Sequence, residues 1–262
     1  MLPQWNPSRL DDRLPWVVGI VGGRRQGKST LTHHLIKRSK RFKLLISFMG
    51  TTSCSPEMRS LMETRFDQRF IFNSWNEPLM DRLLKQQERL KLQGIDRQVC
   101  ILVDDIVMSS KQEDNLAHLC LRGRHFNISV ICAAVSYTTL PKRSRRSLDC
   151  LFLFSCPMSS DMEILTREYC SKVRLARYCL NNLPEWTSLV LETLQKKQQL
   201  FHYRVELGIA SQNAESPSSS PAETSASPET SQHNHMASHL DETSETECGI
   251  SNPENHELSE TE

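Results

Sequence analysis

The sequence predicts an α/β fold, a mainly parallel central sheet flanked by helices and followed by a disordered acidic tail, and three observations lead there. Six short β-rich apolar runs alternate with amphipathic helical stretches between Trp16 and Phe154. The first of these runs passes through a glycine-bearing turn, GGRRQGKS from Gly22 to Ser29, directly into a helical stretch. From about Ser211 the composition changes to Ser, Thr, Pro, Glu and His, without a single Lys or Arg.

Each element has its own signature. WVVGIV at Trp16, KLLISF at Lys43, FIF at Phe70, VCILV at Val99, ISVICAAV at Ile128 and CLFLF at Cys150 are nearly uninterrupted apolar runs. Strands covered by helices on both faces read this way, whereas half-solvated strands alternate. Between them, helices are expected near Lys28 to Lys40, Pro78 to Gln93 and Asp114 to Arg122, long enough to serve as the crossovers that parallel strands require. Asp161 to Asn181 reads as helical, and SLVLE at Ser188 with LFHYRV at Leu200 reads as a terminal hairpin. The chain divides into an N-terminal arm (residues 1–14), a globular domain (15–207) and a Ser/Thr/Glu-rich tail (208–262). The tail has too little apolar surface to offset its ordering entropy and is expected to be disordered.

The net charge of +1 conceals an asymmetry. All 32 Lys and Arg lie at or before Arg204, while 12 of the 31 acidic residues follow from Glu206 onward, so residues 1–205 carry 32 positive against 19 negative charges. Such a body suits a polyanionic partner such as nucleic acid, and it equally suits charges spread over solvated helix faces. The nine Cys are odd in number and scattered. Cys100, Cys132, Cys150 and Cys156 lie in or beside apolar runs, where a thiol behaves as a small core residue, in keeping with a reducing compartment. No CxxC pair supports a zinc site, and no apolar run is long enough for a membrane span. A soluble, intracellular protein with no membrane partner is expected.

The turn matches GxxxxGK(S/T) in the strand–loop–helix context that gives the pattern meaning, and it defines a P-loop NTPase. Gly22, Gly23 and Gly27 permit backbone angles and approaches that a Cβ would block, and the amides running through Arg24, Arg25 and Gln26 to Ser29 and Thr30 are aimed at phosphate oxygens. Lys28 supplies a point charge for the terminal phosphates of ATP, and the Ser29 hydroxyl is a ligand for Mg²⁺.

Four apolar residues, Cys100 to Val103, precede Asp104 and Asp105, so that two carboxylates emerge at the end of a buried strand. Asp104 is expected to hold Mg²⁺ through a water, and Asp105 to orient or deprotonate the attacking water. At least one strand lies in sequence between the loop strand and the acidic strand, and another follows; that order matches the additional-strand class of P-loop NTPases. A GTPase is disfavoured, because no NKxD base-selecting sequence is present.

Beyond the acidic pair, LCLRGRHFNISVICAAVSYTTLP, from Leu119 to Pro141, resembles the viral genome-packaging ATPases of the FtsK/HerA superfamily, the poxvirus and Maverick/Polinton type. Gly123, Arg124, His125, Asn127, Ile128, Tyr137 and Pro141 carry the likeness, which spans roughly Val17 to Phe154. The resemblance implies ATP hydrolysis coupled to translocation of double-stranded DNA, a homo-oligomeric ring, contact with capsid or other virion proteins, and virion association. It also implies an arginine that completes the neighbouring subunit's site, for which Arg122 and Arg124 are the candidates, and which solvated charges near a helix end would equally explain. One departure stands out. Where the family places a sensor Gln, this chain has Val135, which cannot hydrogen-bond a phosphate or a water; Ser136 reaches that position only if the strand end shifts by one residue.

Two basic segments, KRSKRFK from Lys37 to Lys43 and KRSRR from Lys142 to Arg146, suit contacts to a DNA backbone or a nuclear import signal. Three functions are therefore open: a DNA-packaging motor, a nucleotide-occupancy switch in virion assembly or regulation, and, with less support from the paired carboxylates, a small-molecule kinase.

Overall fold

The computed structural model describes residues 2–50, 56–155, 159–169, 173–193 and 199–205. In chain order the elements are α1 (Ser8–Asp11), β1 (Val17–Val21), α2 (Lys28–Arg38), β2 (Phe42–Met49), α3 (Pro56–Thr64), β3 (Ile71–Phe72), α4 (Glu77–Leu92), β4 (Gln98–Asp104), α5 (Ser110–Arg122), β5 (Ile128–Ala134), α6 (Lys142–Arg145), β6 (Cys150–Leu153), α7 (Ser159–Tyr169), α8 (Val173–Asn181), β7 (Thr187–Glu192) and β8 (Gln199–Arg204). The eight strands form one sheet in the order β3-β2-β4-β5-β1-β6-β7-β8. The first six pair in parallel, and β7 runs antiparallel to both β6 and β8.

The apolar runs are buried on both sides, as their composition requires, and alternate residues feed two cores. Val17, Val21, Ile101, Val103 and Val130 face one layer, which α4 and α5 close with Met80, Leu83, Leu116 and Leu119, and α7 and α8 extend with Met162, Leu165 and Leu180. Val18, Ile20, Cys100, Leu102 and Ile131 face the other, closed by Leu31 and Leu35 of α2 and by Met58 and Leu61 of α3.

Helix starts are set by local chemistry. Asn76 accepts a hydrogen bond from the Leu79 amide (3.0 Å) ahead of Pro78, a residue whose fixed φ suits the first helical turn. Ser109 and Gln112 form a reciprocal capping box, which is why α5 begins at Ser110 rather than at the expected Asp114. The stretch from Asp161 to Asn181, expected as one helix, is two, and the FIF run holds a two-residue edge strand after a 3₁₀ turn at Gln68–Phe70. The terminal hairpin is present, with Leu189 opposite His202.

The first fourteen residues, set apart in the sequence as an arm, pack into the domain. Trp5 is 1% exposed, edge-on to Phe152 and Tyr203, and its indole N–H donates to Glu192 (2.8 Å). Glu192, itself buried, also receives Arg9 (2.7 Å) and Arg13 (3.5 Å), so its charge is compensated on two sides. Cys100, Cys132 and Cys150 are buried free thiols, whereas Cys156 and the tail expected to be disordered lie outside the described residues. Among the described residues no helix is long and apolar enough to cross a membrane.

Candidate functional site

The sheet order gives the site its frame. β5 lies between β1 and β4, with Ala134 opposite Val21 on one side and Ala133 opposite Asp104 on the other. The phosphate loop, following β1, and the acidic pair, ending β4, therefore share the C-terminal edge of the sheet with one strand end between them, where ligands of open α/β sheets bind.

The loop runs from Gly22 to Gly27 and opens α2 at Lys28. Gly27 has φ +103°, a conformation that a side chain would strain, and a Cβ on Gly22 would lie 2.6 Å from that of Phe154. The Gly22 amide donates to Ala134 O (3.2 Å), tying the loop to β5. Lys28 Nζ donates to the carbonyls of Gly22 (2.7 Å) and Gly23 (2.9 Å), and Gln26 Oε1 accepts from the Gly23 amide (3.0 Å). Two of the donors that a phosphate would otherwise engage, the Lys28 ammonium and the Gly23 amide, are thus bonded within the loop. Burial holds the Lys28 ammonium below its usual pKa, opposed by Asp104 and Asp105 and reinforced by Arg24. Arg24, Arg25 and Ser29 are exposed, and Thr30 is half-buried.

Asp104 closes β4, half-buried, and burial raises its pKa; Lys28 opposes that shift and Asp105 adds to it. A half-buried carboxyl interacting with a half-buried ammonium beside the loop suits a divalent cation, which would favour the carboxylate form. Among the described residues no cluster of three or more His, Cys, Asp or Glu could hold a metal. Mg²⁺ fits that set: it keeps its waters and leans on one carboxylate, one hydroxyl and substrate phosphates. Ser29 and Asp104 are the residues that would hold it.

Asp105 is exposed and has φ +50°, so the chain turns sharply after the strand. Gly50, which no sequence motif marked, enables the turn. A Cβ there would sit 2.2 Å from the Asp105 carbonyl oxygen, and the Gly50 amide donates to Asp104 O (3.0 Å).

At the end of β5 the position of the expected sensor is Val135, whose side chain is partly exposed. Ser136 does not replace it. Its hydroxyl donates to Asp161 (2.5 Å), which also accepts from the Tyr137 amide (2.9 Å) and the Thr138 hydroxyl (2.9 Å). Burial works to raise the Asp161 pKa, and these hydrogen bonds overcome it, leaving the carboxyl below its ordinary value. Tyr137 is fully buried, donates to Glu168 (2.6 Å) and lies under the Arg145 guanidinium (4.8 Å). The segment after β5 is thereby fastened to α7, a connection that residues 119–141 alone could not reveal.

The structure separates the two candidate arginines from this edge. Arg122 ends α5 and Arg124 lies in the 3₁₀ turn Gly123–Phe126 that precedes β5. Both are exposed at the N-terminal edge of the sheet, the length of the seven-residue β5, roughly 20 Å, from the phosphate loop. Of the KRSRR cluster, Arg145 is buried against Tyr137 and 3.6 Å from Glu168, so it is a packing residue rather than a DNA contact. Arg143 pairs with Asp114 (2.7 Å), and Lys142 and Arg146 are exposed.

A phosphate loop and an acidic strand on either side of an intervening strand define an additional-strand P-loop NTPase. The chain belongs to the family described as Poxvirus A32 protein, whose model matches residues 13–181. Uncharacterized protein 015R of Frog virus 3 (isolate Goorha) is 27% identical over 139 residues, 52% of this chain and 42% of that protein; the chain thus spans less than half the length of this curated relative. Among solved structures the fold is shared with B204, the DNA-packaging ATPase of Sulfolobus turreted icosahedral virus (TM-score 0.54, 14% identity, 73% of this chain and 98% of that one). It is shared also with the genome-packaging NTPase B204 of Sulfolobus turreted icosahedral virus 2 in complex with AMPPCP (0.52, 14%, 77% and 100%). ATPases 2 and 3 of EssC from Geobacillus thermodenitrificans match as well (0.52, 13%, 72% and 40%).

Proposed function

We propose that this chain is an ATP-driven motor that moves double-stranded DNA and packages a viral genome into its capsid. The observation that carries the reading is the convergence of Lys28, Ser29 and the Asp104–Asp105 pair on one sheet edge across the end of β5. The family membership and the packaging ATPases that share the fold support the biological setting.

ATP enters with its phosphates along the loop from Gly22 to Thr30. Lys28 exchanges its bonds to the Gly22 and Gly23 carbonyls for bonds to the terminal phosphates, at little net cost in hydrogen bonds. Ser29 and Asp104 would hold Mg²⁺, which when bound would supply charge neutralisation at the phosphate oxygens. Asp105, free to reach solvent, orients the attacking water and accepts its proton. Arg122 and Arg124 cannot serve their own subunit's site across the length of β5. Their exposure at the opposite edge suits a ring in which one of them reaches the neighbouring subunit's phosphates. DNA is held through its backbone by the exposed cations of Lys37 to Lys43 together with Lys142 and Arg146, without base readout. The acting unit is residues 15–207, with 1–14 packed onto it and 208–262 available for capsid or other virion partners inside the host cell or virion.

A second reading, ATP binding as an assembly or regulatory switch with weak hydrolysis, is favoured by one observation: Val135 offers no hydrogen bond at the end of β5, and the Ser136 hydroxyl is engaged by Asp161. ATPase rates with and without double-stranded DNA, beside Lys28→Ala and Asp105→Asn, separate the two. DNA-stimulated turnover lost in both variants is the expected result. Tight ATP binding without turnover under any DNA condition would overturn the motor in favour of the switch.

A further inference from the structure

Beyond the phosphate site, the same edge carries a cavity of about 390 Å³ whose walls include Arg25 and Gln26 of the loop, Phe154 after β6, and Pro184, Trp186 and Thr187 of the turn leading into β7. That volume falls within the roughly 300–1,000 Å³ of small-ligand sites. Its position matters more than its size. In the order β4-β5-β1-β6-β7 the carboxylates lie on one side of β1 and the cavity on the other. A triphosphate whose γ-end points toward Asp104 and Asp105 directs its nucleoside toward β6 and β7.

Trp186 is the feature that the phosphate chemistry leaves unexplained. Trp5, Trp16 and Trp75 are 1%, 2% and 6% exposed, as large apolar rings should be, whereas Trp186 is 51% exposed. Its backbone has φ +62°, a left-handed conformation rare for a bulky residue and costly to hold. The turn is fixed by the Thr187 amide donating to Pro184 O (3.2 Å). The indole lies against the phosphate loop: a Cβ on Gly27 would be 3.4 Å from Trp186 Cε3 and 3.5 Å from the Phe154 ring. Packing on the loop covers only about half of this strained residue, and a flat ligand on the exposed part of the ring would cover more.

We infer that this cavity is the nucleobase site, with the Trp186 indole as the face on which a purine stacks and Phe154 supporting it from the core. The inference rests on the phosphate-loop reading. It predicts a preference for purine over pyrimidine triphosphates through stacking area.

The test uses the full chain and three probes: ATP, CTP and inorganic tripolyphosphate, which has no base. ATP should quench the emission of the exposed indole in a saturable titration and should bind more tightly than CTP. Trp186→Ala should weaken ATP binding roughly ten-fold or more while leaving tripolyphosphate affinity unchanged, and Trp186→Phe should restore most of the loss. Trp186→Asn guards against a folding artefact, since Asn tolerates the left-handed backbone; it should be as stable as the native chain and still bind ATP poorly. Equal ATP affinity in the native, Ala and Asn chains, or equal affinity for ATP and CTP, would overturn the base site. The phosphate reading fails separately, and takes the base site with it, if neither ATP nor tripolyphosphate binds the native chain or if Lys28→Ala leaves both affinities intact.

Discussion

Replacing Asp161 by Ala probes whether the segment after β5 is held from α7. The carboxylate accepts from the Ser136 hydroxyl, the Tyr137 amide and the Thr138 hydroxyl, and its residue is 1% exposed. Hydrogen bonds to a charged acceptor contribute about 1.5–3 kcal/mol each, and they are not independent here, because the hydroxyl oxygens of Ser136 and Thr138 lie 2.8 Å apart and their two protons are shared among three contacts, two of them to Asp161. A total loss of about 3–5 kcal/mol follows. For a domain of this size each kcal/mol moves the melting temperature by about 2–4 °C, so Asp161→Ala should melt roughly 6–20 °C lower by circular dichroism or calorimetry. The pH dependence makes the test specific. The folded-state pKa of Asp161 lies below its ordinary value, so its contribution is fully present above the unfolded-state pKa and disappears as pH falls through the lower folded value. The gap between native and variant melting temperatures should therefore be constant near neutrality and shrink below about pH 4. A loss under 1 kcal/mol at pH 7, or a gap that stays constant down through the acid range, would refute the claim that this carboxylate fastens the strand end.

Three further outcomes are expected. Gly22→Ala places a Cβ 2.6 Å from that of Phe154, a backbone-fixed atom that cannot swing aside; the strain of about 1–3 kcal/mol should displace the loop and abolish ATP binding while the fold persists, checked by nucleotide titration beside a melt. Val135→Gln restores a hydrogen-bonding side chain at the β5 end and should raise ATP turnover; unchanged turnover in a folded variant would show that this position is not the sensor. Mixing Arg124→Ala subunits with Lys28→Ala subunits should partly restore activity that neither has alone, because a shared site needs one intact loop and one intact arginine from different chains; no rescue, repeated with Arg122→Ala, would argue against a trans arginine.

What the sequence made legible is what is local. The strand–loop–helix pattern at Gly22 to Ser29 and the apolar run ending in Asp104 each carry their chemistry within a few residues, and β1, α2, β4 and β5 lie where that pattern places them. Helix starts set by a short reciprocal bond were harder, since the Ser109 and Gln112 box sits before the first apolar residue of α5. Residues acting across the fold were invisible. Gly50 earns its place through a contact with the Asp105 carbonyl, Asp161 through atoms 23 to 25 positions earlier, and Glu192 through Trp5 at a separation of 187. Arg145 shows the reverse error: in sequence it is one cation among several, and in the fold it is a buried partner of Tyr137.

The same distinction explains how the two ends of the site divide their work. The residues proposed to touch the phosphates are held largely by local backbone geometry: Gly27 at positive φ, Lys28 folded onto its own loop, Asp104 at a strand end. The features beside the site are fixed at long range, through Asp161 and Glu168 of α7 at the end of β5 and through the β7 turn beside the loop. In the chain α7 follows β6, and α8 lies between it and the Trp186 turn. On the proposed reading, a nucleotide that engages both the β5 end and the Trp186 face bears on α7 through one contact and on the turn that opens β7 through the other. If the chain is the ring motor proposed above, occupancy at the phosphates has to alter the surface that meets its neighbour or its track, and α7 and the β7 turn are where that coupling would be sought.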